Sequence, residues 1–401
     1  MISKKNFKED EKILMEKPFV SCQFAWNQFY QYKACEYCLR PLESAEENVR
    51  RLTEDFTIKL PYLKENCTTN KQLHCVCEQC GLEYCSIECK QSALNEYHQV
   101  LCLGQSRLDS NHPYNVLMDT WRQLHLPPET TSLELIIKMI AHMKQAVDKT
   151  DFMKKLNNFE CNLVNEQEQL PHKLLSANFF SQIEYLREVT NEFFNQHLYV
   201  KECESWLTKQ GFRQLFSLIG RNSQGIGTSP LSVWVENCDA MKSLSKKEHK
   251  KLDSYIDKLY EKLEKVSESF LNSEGSGLYE LQSMINHSCR PNAEIKFQTN
   301  NNVLTLVALR DIKPGEEIFI SYLDECELAR SRHSRQKLLK ENYLFACQCE
   351  LCLEQSDHLD VTSDEDLEED DDDDDEEAEE EEEDEEAIEE DQIRDENNNI
   401  K

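Results

Sequence analysis

Hydrophobic residues recur at every third and fourth position through the middle of the chain. The clearest run contains Leu133, Ile136, Ile137, Ile140 and Met143. A second stripe covers residues 252–266, with Lys and Glu between its apolar positions. This spacing puts the apolar side chains on one face of an α-helix. The pattern therefore predicts a helical region in the middle of the chain, with the stripes in its core.

A different pattern begins near residue 294. Residues 294–297 and 303–309 are predicted to be short strands on either side of a turn at 299–302, and residues 318–320 are predicted to be a third strand. Short strands with turns about every ten residues indicate a small folded β-sheet. Residues 222–227, which read Asn-Ser-Gln-Gly-Ile-Gly, interrupt the helical pattern, and we predict a turn there.

The net charge of −32 is concentrated at one end of the chain. Residues 364–396 hold 26 Asp and Glu against one Arg, which leaves about −7 for the rest. Such a run repels itself and has little to bury, so residues 357–401 are predicted to be a disordered acidic tail. Basic proteins are its expected electrostatic partners, and histones and ribosomal proteins are two such classes. A solubilising tail without a specific partner is the alternative.

Cysteine content indicates the compartment. The first ten residues are polar and charged, so we expect no signal peptide, and no run approaches the ~20 apolar residues of a membrane helix. Eighteen cysteines without a secretory signal favour metal binding in a reducing compartment, which means the nucleus or the cytoplasm. Direct nucleic-acid binding is not expected, because no basic stripe accompanies the cysteines.

Eight residues between positions 35 and 102 have the spacing of metal ligands. They are Cys35, Cys38, Cys77, Cys80, Cys85, Cys89, His98 and Cys102. Four closely spaced pairs suit two tetrahedral zinc sites, each filled by four protein ligands and therefore structural. The long segment 39–76 separates the first two pairs and contains Cys67, His74 and Cys75. We interpret these three as part of a surface insertion and not as ligands.

Three motifs follow one another near the C-terminus. Residues 286–292 read Asn-His-Ser-Cys-Arg-Pro-Asn, residues 315–322 read Gly-Glu-Glu-Ile-Phe-Ile-Ser-Tyr, and Cys347, Cys349 and Cys352 close the series. In this order they resemble the catalytic core of SET-domain protein-lysine methyltransferases. Together with the ligand pairs at 35–102, which resemble a MYND zinc module, they make the chain similar to the SET- and MYND-domain lysine methyltransferase family. The direct passage into an acidic tail resembles the short fifth member of that family.

The resemblance implies an α+β fold in which a SET β-fold is interrupted by a MYND zinc module and a helical insert. The implied divisions are 1–34 for the first part of the SET domain, 35–102 for the MYND-type module with its long insertion, 103–270 for the helical insert, 271–325 for the catalytic core, 326–356 for a zinc-bound post-SET segment and 357–401 for the acidic tail. Further implications are a monomer and, through the MYND module, binding of proline-rich peptides.

The resemblance also assigns roles. Tyr322 is the implied catalytic tyrosine. The residues implied to bind S-adenosylmethionine are Ser283, Asn286, His287, Phe345 and Asn222. Of the three implied zinc ions, one is held by Cys35, Cys38, Cys85 and Cys89, one by Cys77, Cys80, His98 and Cys102, and one by Cys289, Cys347, Cys349 and Cys352.

Methyl transfer to lysine requires few groups. The lysine amine, with a pKa near 10.4 in water, must be accepted unprotonated and aimed at the methyl group in a channel that excludes water. We therefore predict a protein-lysine N-methyltransferase that acts on basic proteins. Family members begin with a strand and a Gly-x-Gly turn around the cofactor, whereas residues 11–18 match only the segment after that turn, and the first glycine is Gly81. This departure favours the alternative of a zinc-dependent interaction scaffold with a weakened or inactive SET domain.

Overall fold

The strands of this protein are short, and partners within a sheet lie far apart in sequence. The computed structural model describes residues 1–124, 132–267 and 272–357. Its strands are β1 (Lys12–Glu16), β2 (Val20–Gln23), β3 (Cys75–Val76), β4 (Glu83–Tyr84), β5 (Val164–Asn165), β6 (Leu170–Pro171), β7 (Ser223–Thr228), β8 (Ser273–Leu278), β9 (Asn286–His287), β10 (Ala293–Lys296), β11 (Leu304–Ala308) and β12 (Phe319–Ile320).

Two antiparallel sheets combine the beginning of the chain with its later motifs. One has the strand order β1-β11-β10 and the other β2-β8-β7. The predicted hairpin at 294–309 is confirmed, because β10 and β11 pair from Ala293 opposite Ala308 to Lys296 opposite Thr305. Strand β1 covers the other edge of β11. Each of these two sheets therefore needs a strand from the first 23 residues together with strands from residues 223–308.

The predicted turn at 222–227 is wrong. Residues Ser223–Thr228 form β7, which pairs with β8 along its whole length. Strand β8 requires glycine at one position, because a Cβ on Gly275 would lie 2.3 Å from the carbonyl oxygen of Cys22 in β2. The glycines of residues 222–227 therefore belong to a sheet.

The first seven residues run beside the loop before β12. Isolated bridges pair Ile2 with Glu317 and Phe7 with Ile312. The Phe7 ring is buried in the same core as β10 and β11. The segment that precedes β1 is thus fixed to the loop that carries the second C-terminal motif.

Helices fill most of the remaining chain. They are α1 (Trp26–Phe29), α2 (Ala45–Leu52), α3 (Leu63–Asn66), α4 (Ile87–Ala93), α5 (Gln99–Leu101), α6 (Pro113–Gln123), α7 (Leu133–Gln145), α8 (Lys149–Leu156), α9 (Ala177–Phe193), α10 (Lys209–Asn222), α11 (Pro230–Asp239), α12 (Lys246–Ser267), α13 (Glu325–Ala329), α14 (Arg332–Tyr343) and α15 (Glu350–Glu354). Short 3₁₀ turns cover Lys71–Leu73, Gly104–Leu108, Lys173–Leu175, Lys201–Leu207 and Gln282–Met284, and π-helical turns cover Leu94–His98 and Phe194–Leu198.

Helix α7 lies at the centre of the main helical core. All five residues of its predicted apolar stripe are fully or almost fully buried, which confirms the prediction from their spacing. The helix packs against β2 and against the π-helical turn that ends in His98. Helix α7 therefore joins the helical region to the first sheet strands and to the cysteine-rich segment.

The long segment 39–76 is not confined to the surface. Its helix α2 packs against α11 and α12, and Val49, Trp234 and Leu263 are buried in the shared cluster. Segment 39–76 therefore supplies one of the three helices that enclose Trp234. Cys67, His74 and Cys75 are only partly buried.

Two further predictions concern membrane helices and the acidic tail. Among the described residues, none of the helices has both the length and the apolar character that crossing a bilayer requires. Residues 358–401, which hold nearly all of the predicted acidic tail, lie outside the described residues.

Candidate active site and metal centres

The two motifs 286–292 and 315–322 lie side by side. Strand β9 runs parallel to β12, so that His287 stands opposite Ile320. Asn292 joins the segments, since its Nδ2 donates to the carbonyl oxygen of Glu317 at 2.8 Å and its Oδ1 accepts from the Phe319 amide at 2.8 Å. Residues 33 positions apart in sequence therefore lie side by side, and Tyr322 follows directly after the paired segment.

Tyr322 is held at both its hydroxyl and its backbone. The hydroxyl donates to the carbonyl oxygen of Ile285 at 2.7 Å, and the backbone amide donates to Nδ1 of His287 at 2.9 Å. Burial raises the pKa of Tyr322 to about 12. The hydroxyl consequently stays neutral and oriented over the physiological pH range.

Aromatic rings surround Tyr322. The ring centroid of Tyr343 lies 4.8 Å from that of Tyr322, and the Phe345 ring meets it edge-on at 6.2 Å. His287 lies 5.3 Å away, and burial lowers its pKa to about 4, so its imidazole is neutral. The Tyr343 hydroxyl donates to the carbonyl oxygen of Tyr322 at 3.3 Å. These rings form an aromatic wall beside Tyr322 that carries few charges.

A cysteine cluster borders this aromatic wall. Its ligand atoms, the Sγ atoms of Cys289, Cys347, Cys349 and Cys352, all lie within 4.8 Å of one another. A tetrahedral zinc ion with bonds of about 2.3 Å requires sulfur atoms about 3.8 Å apart. The Cys289 and Cys352 sulfur atoms are 3.7 Å apart, so this donor set fits zinc. Nε2 of His287 lies 3.3 Å from the Cys289 sulfur, which places the cluster next to the site.

Two more clusters occur in the segment 35–102. Cys35, Cys38, Cys85 and Cys89 form one, and Cys77, Cys80, His98 and Cys102 form the other, each with its ligand atoms within 4.8 Å. This is the pairing that the family resemblance implies. The Cys85 and Cys89 sulfur atoms are 3.5 Å apart, and Nε2 of His98 lies 3.6 Å from the Cys80 sulfur. Both donor sets fit tetrahedral zinc, and four ligands leave no open position for catalysis.

The predicted cofactor residues have different surroundings. Asn286 is exposed, and its Nδ2 donates to Glu317 at 2.8 Å, whereas the half-buried Ser283 hydroxyl donates weakly to the carbonyl oxygen of Glu280 at 3.3 Å. Asn222 is buried at the end of α10, where its Nδ2 donates to the carbonyl oxygens of Leu218 and Glu160. The amide of Asn222 is thus occupied by its own neighbourhood.

Sequence reasoning overlooked two residues beside Tyr322. Tyr343 could have been found, because it is an aromatic residue two positions before Phe345. Arg221 gave no signal, since it lies in a helix more than 100 residues away; its guanidinium donates to the carbonyl oxygen of Tyr343 at 3.1 Å. Burial lowers the pKa of Arg221. Asn222 follows it directly, so the end of α10 lies beside the site.

Comparison with known proteins gives the class of the protein. A model of the SET domain matches residues 1–323, and the chain belongs to the SET-domain family. Protein-lysine N-trimethyltransferase SMYD5 of Gallus gallus is 51% identical over 368 residues, which cover 92% of this chain and 86% of the relative. The Homo sapiens protein of the same name is 49% identical over 358 residues, covering 89% and 84%. A SET and MYND domain-containing protein of Dictyostelium discoideum is 25% identical over 351 residues, covering 85% and 76%. The predicted family is confirmed.

Proposed function

We propose that this chain is a protein-lysine N-methyltransferase that uses S-adenosylmethionine. The observation that carries the proposal is the fixed Tyr322 hydroxyl, bound to the Ile285 carbonyl oxygen and enclosed by the rings of His287, Tyr343 and Phe345. It occurs in a SET-family chain whose relatives at about half identity are named lysine trimethyltransferases. We accordingly propose trimethylation as the extent of the reaction.

The site's own residues account for what the reaction asks of a protein. The neutral Tyr322 hydroxyl and the Ile285 carbonyl are polar groups beside which an unprotonated lysine amine can be oriented. The rings of Tyr343 and Phe345 would exclude water from a bound amine, and this desolvation would disfavour its charged form. Positioning of this kind supplies a large part of the acceleration in group transfer. No strong base is needed.

The bound cofactor would supply an electrophilic methyl group on a sulfonium. The donor set fits such a nucleoside: Phe345 is a half-buried ring, Ser283 a half-buried hydroxyl, and Asn286 an exposed amide in the same strand as His287. The cofactor would be held by Phe345, Ser283, Asn286 and His287. Asn222 would join them only if its amide exchanged its present partners, Leu218 and Glu160.

Three structural zinc ions belong to the proposal. The cluster at Cys289 would tie the segment that carries Tyr343 and Phe345 to the motif that carries His287. The other two would brace a MYND module inserted between the two parts of the SET fold, followed by the helical insert and, after residue 325, by a post-SET segment. Support for this division comes from β1 and β2, which pair with strands more than 200 residues later.

Histones or ribosomal proteins are the proposed substrates, because the strongly acidic composition favours basic partners. We further propose a monomer in the nucleus or cytoplasm that binds proline-rich peptides through its MYND module.

The test is methyl transfer from radiolabelled S-adenosylmethionine to core histones and ribosomal proteins. Tyr322→Phe should lower the rate by at least about 100-fold, because the oriented hydroxyl is lost, while the exposed Tyr185→Phe should match wild type. Mass spectrometry of the product counts the methyl groups. If wild type and Tyr322→Phe transfer equally little, and calorimetry detects no cofactor binding, the scaffold alternative replaces the enzyme.

A further inference from the structure

Residues 343–347 carry much of the candidate site. Tyr343 and Phe345 form the aromatic wall, and Cys347 belongs to the neighbouring cysteine cluster. This segment is also held from outside, by a hairpin of the helical region and the end of α10. We call β5, β6, the turn between them and Arg221 the hairpin clamp.

Asn165 of the clamp uses both ends of its side chain. Its Oδ1 accepts from the amides of Gln167 and Glu168 and so holds the hairpin turn. Its Nδ2 donates to the carbonyl oxygen of Leu344 at 2.8 Å. Leu344 has a φ of 63°, in the left-handed region that a branched residue seldom occupies, and its side chain is 2% exposed. The clamp thus holds the backbone at the point where α14 ends.

Two further contacts lie on either side of the hydrogen bond between Asn165 and Leu344. Glu168 accepts from the Ala346 amide at 3.2 Å. Arg221 donates through one nitrogen to the carbonyl oxygen of Tyr343 at 3.1 Å, and through the other to the Asn162 carbonyl oxygen at 3.3 Å. Residues 343, 344 and 346 are therefore each bonded to a different residue of the clamp. Charge-assisted bonds at both ends make the attachment stronger than neutral bonds alone.

The clamp reaches Tyr322 through two aromatic residues, Tyr343 and Phe345. The backbone of Tyr343 is bonded to Arg221, its hydroxyl donates to the carbonyl oxygen of Tyr322, and its ring lies tilted against the Tyr322 ring. A shift of the 343–346 backbone would consequently move the ring that stands against the catalytic tyrosine. Misplacement by about 1 Å can lower a rate roughly 100-fold.

From these contacts we propose that the hairpin clamp is a positioning device for the active site, and that Asn165 and Arg221 are positioning residues that act through Tyr343 and Phe345. The catalytic consequence rests on the proposed function; the positioning itself does not. A zinc ion held by Cys347 and its cluster would anchor the C-terminal end of the segment, while the clamp holds residues 343, 344 and 346.

The sharpest variant is Asn165→Asp. It keeps the acceptor oxygen that holds the hairpin turn but replaces the donor to Leu344 by an oxygen that repels the carbonyl. The control is Asn158→Asp, at an exposed residue just before the hairpin whose side chain makes no hydrogen bond within the described residues. Hydrogen exchange of the peptide 343–348 should be roughly three- to tenfold faster in Asn165→Asp than in the control. Zinc content should be equal in both.

Kinetics provide the second readout. Asn165→Asp and Arg221→Ala should lower kcat/KM roughly tenfold, and Arg221→Lys, which keeps one donor, should recover part of the loss. Unchanged exchange in both Asn165→Asp and Arg221→Ala would overturn the clamp, whether or not the wild type transfers methyl groups. Faster exchange with unchanged kinetics would overturn the positioning role. If the variants exchange faster but the wild type itself transfers no methyl groups, the clamp is supported and the proposed function is overturned.

Discussion

The third cysteine cluster and the two clusters at 35–102 have the same donor chemistry but different neighbours. Cys289 lies 3.3 Å from His287, whose other ring nitrogen accepts from the Tyr322 amide at 2.9 Å. Cys35 and Cys77 are instead buried in the main hydrophobic core, beside helix α7 and strand β2. The third cluster is therefore connected to Tyr322, the proposed catalytic residue, whereas the other two lie against the interior of the protein.

The difference separates two uses of a structural metal. A four-ligand zinc ion contributes no open coordination position, so its effect depends on what its ligands hold. At 35–102 the ligands hold a module whose core is continuous with the helical region, and zinc should act on stability. At Cys289 the ligands hold the segment 343–352 against the motif 286–292, and zinc should act on the geometry of the site.

The largest expected effect comes from removing one ligand in each region. Cys77→Ser should cost much of the folding stability, because structural zinc in small modules contributes about 10 kcal/mol or more. Cys289→Ser should leave most of the fold intact but lower methyl transfer by at least about 100-fold, since the aromatic wall loses its anchor. Thermal denaturation and transfer assays on the same preparations compare the two.

Metal analysis controls this experiment. Each variant should lose one zinc ion of three, because the three clusters share no ligand. Cys326→Ser, at the exposed cysteine outside all three clusters, should retain all the zinc and the activity. If Cys289→Ser transferred methyl groups at the wild-type rate, the third cluster would not determine the geometry of the site, and the proposed difference from the other two clusters would be wrong.

The second effect tests how the module at 35–102 is joined to the helices. Lys138 of α7 is almost fully buried, and its Nζ lies 2.6 Å from a carboxylate oxygen of Glu36, the residue after Cys35. Lys138→Met should lower the free energy of unfolding by about 3–5 kcal/mol, because it leaves the largely desolvated carboxylates of Glu36 and Glu134 without their shared cation. Denaturant unfolding with zinc present measures this.

The double variant Lys138→Met/Glu36→Gln should recover part of that loss, since no charge is then left unpaired at Glu36. Lys149→Met is the matched surface control: it removes an exposed lysine paired with Glu202 at 3.4 Å and should change stability little. Equal effects of the buried and exposed substitutions would mean that the module and helix α7 are not coupled through this ion pair.

Local patterns predicted much of this architecture. The ligand spacing between Cys35 and Cys102, the hairpin at 294–309 and the apolar stripe of α7 are all read from residues near one another in sequence, and the structure agrees with each. The family resemblance supplied the pairing of ligands and Tyr322. Roles in cofactor binding stay predictions.

What sequence could not show depends on contacts between distant residues. Strand β7 resembled a turn because it contains two glycines, and the strand that pairs with it, β8, begins only at Ser273. Arg221 resembled any helical surface arginine, since its partner Tyr343 lies 122 residues later. Helix α2 resembled part of a surface loop because α11 and α12, which cover it, follow more than 150 residues further on. Backbone pairing and packing over such separations leave no periodic signal in one sequence.

The smallest effect concerns acid and the clamp end of the molecule. His172 follows β6 and is 1% exposed, and its Nδ1 accepts from the Leu174 amide at 3.1 Å. Burial, followed by the charges of Lys173 and Arg221, lowers the pKa of His172 to about 4. The unfolded chain, with a histidine pKa near 6.5, binds more protons than the native state between these values, so this contribution to stability is complete above pH 6.5 and is lost as pH falls toward 4.

His172→Asn keeps an acceptor for the Leu174 amide but removes the titration. Between pH 7.5 and pH 5.5 the wild type should lose about 1 kcal/mol more stability than the variant, as measured by denaturant unfolding at both values.

His142, which stacks on Tyr97 near the other two clusters, also has its pKa lowered to about 4 by burial, so His142→Asn should remove a loss of the same sign. The two variants should differ in hydrogen exchange. Exchange of residues 343–347 should become faster in the wild type as pH falls, once intrinsic exchange rates are taken into account. Of the two variants, only His172→Asn should reduce this change, because His172 lies beside the clamp and His142 does not. Equal effects on that segment would mean that the two regions respond to acid as one cooperative unit.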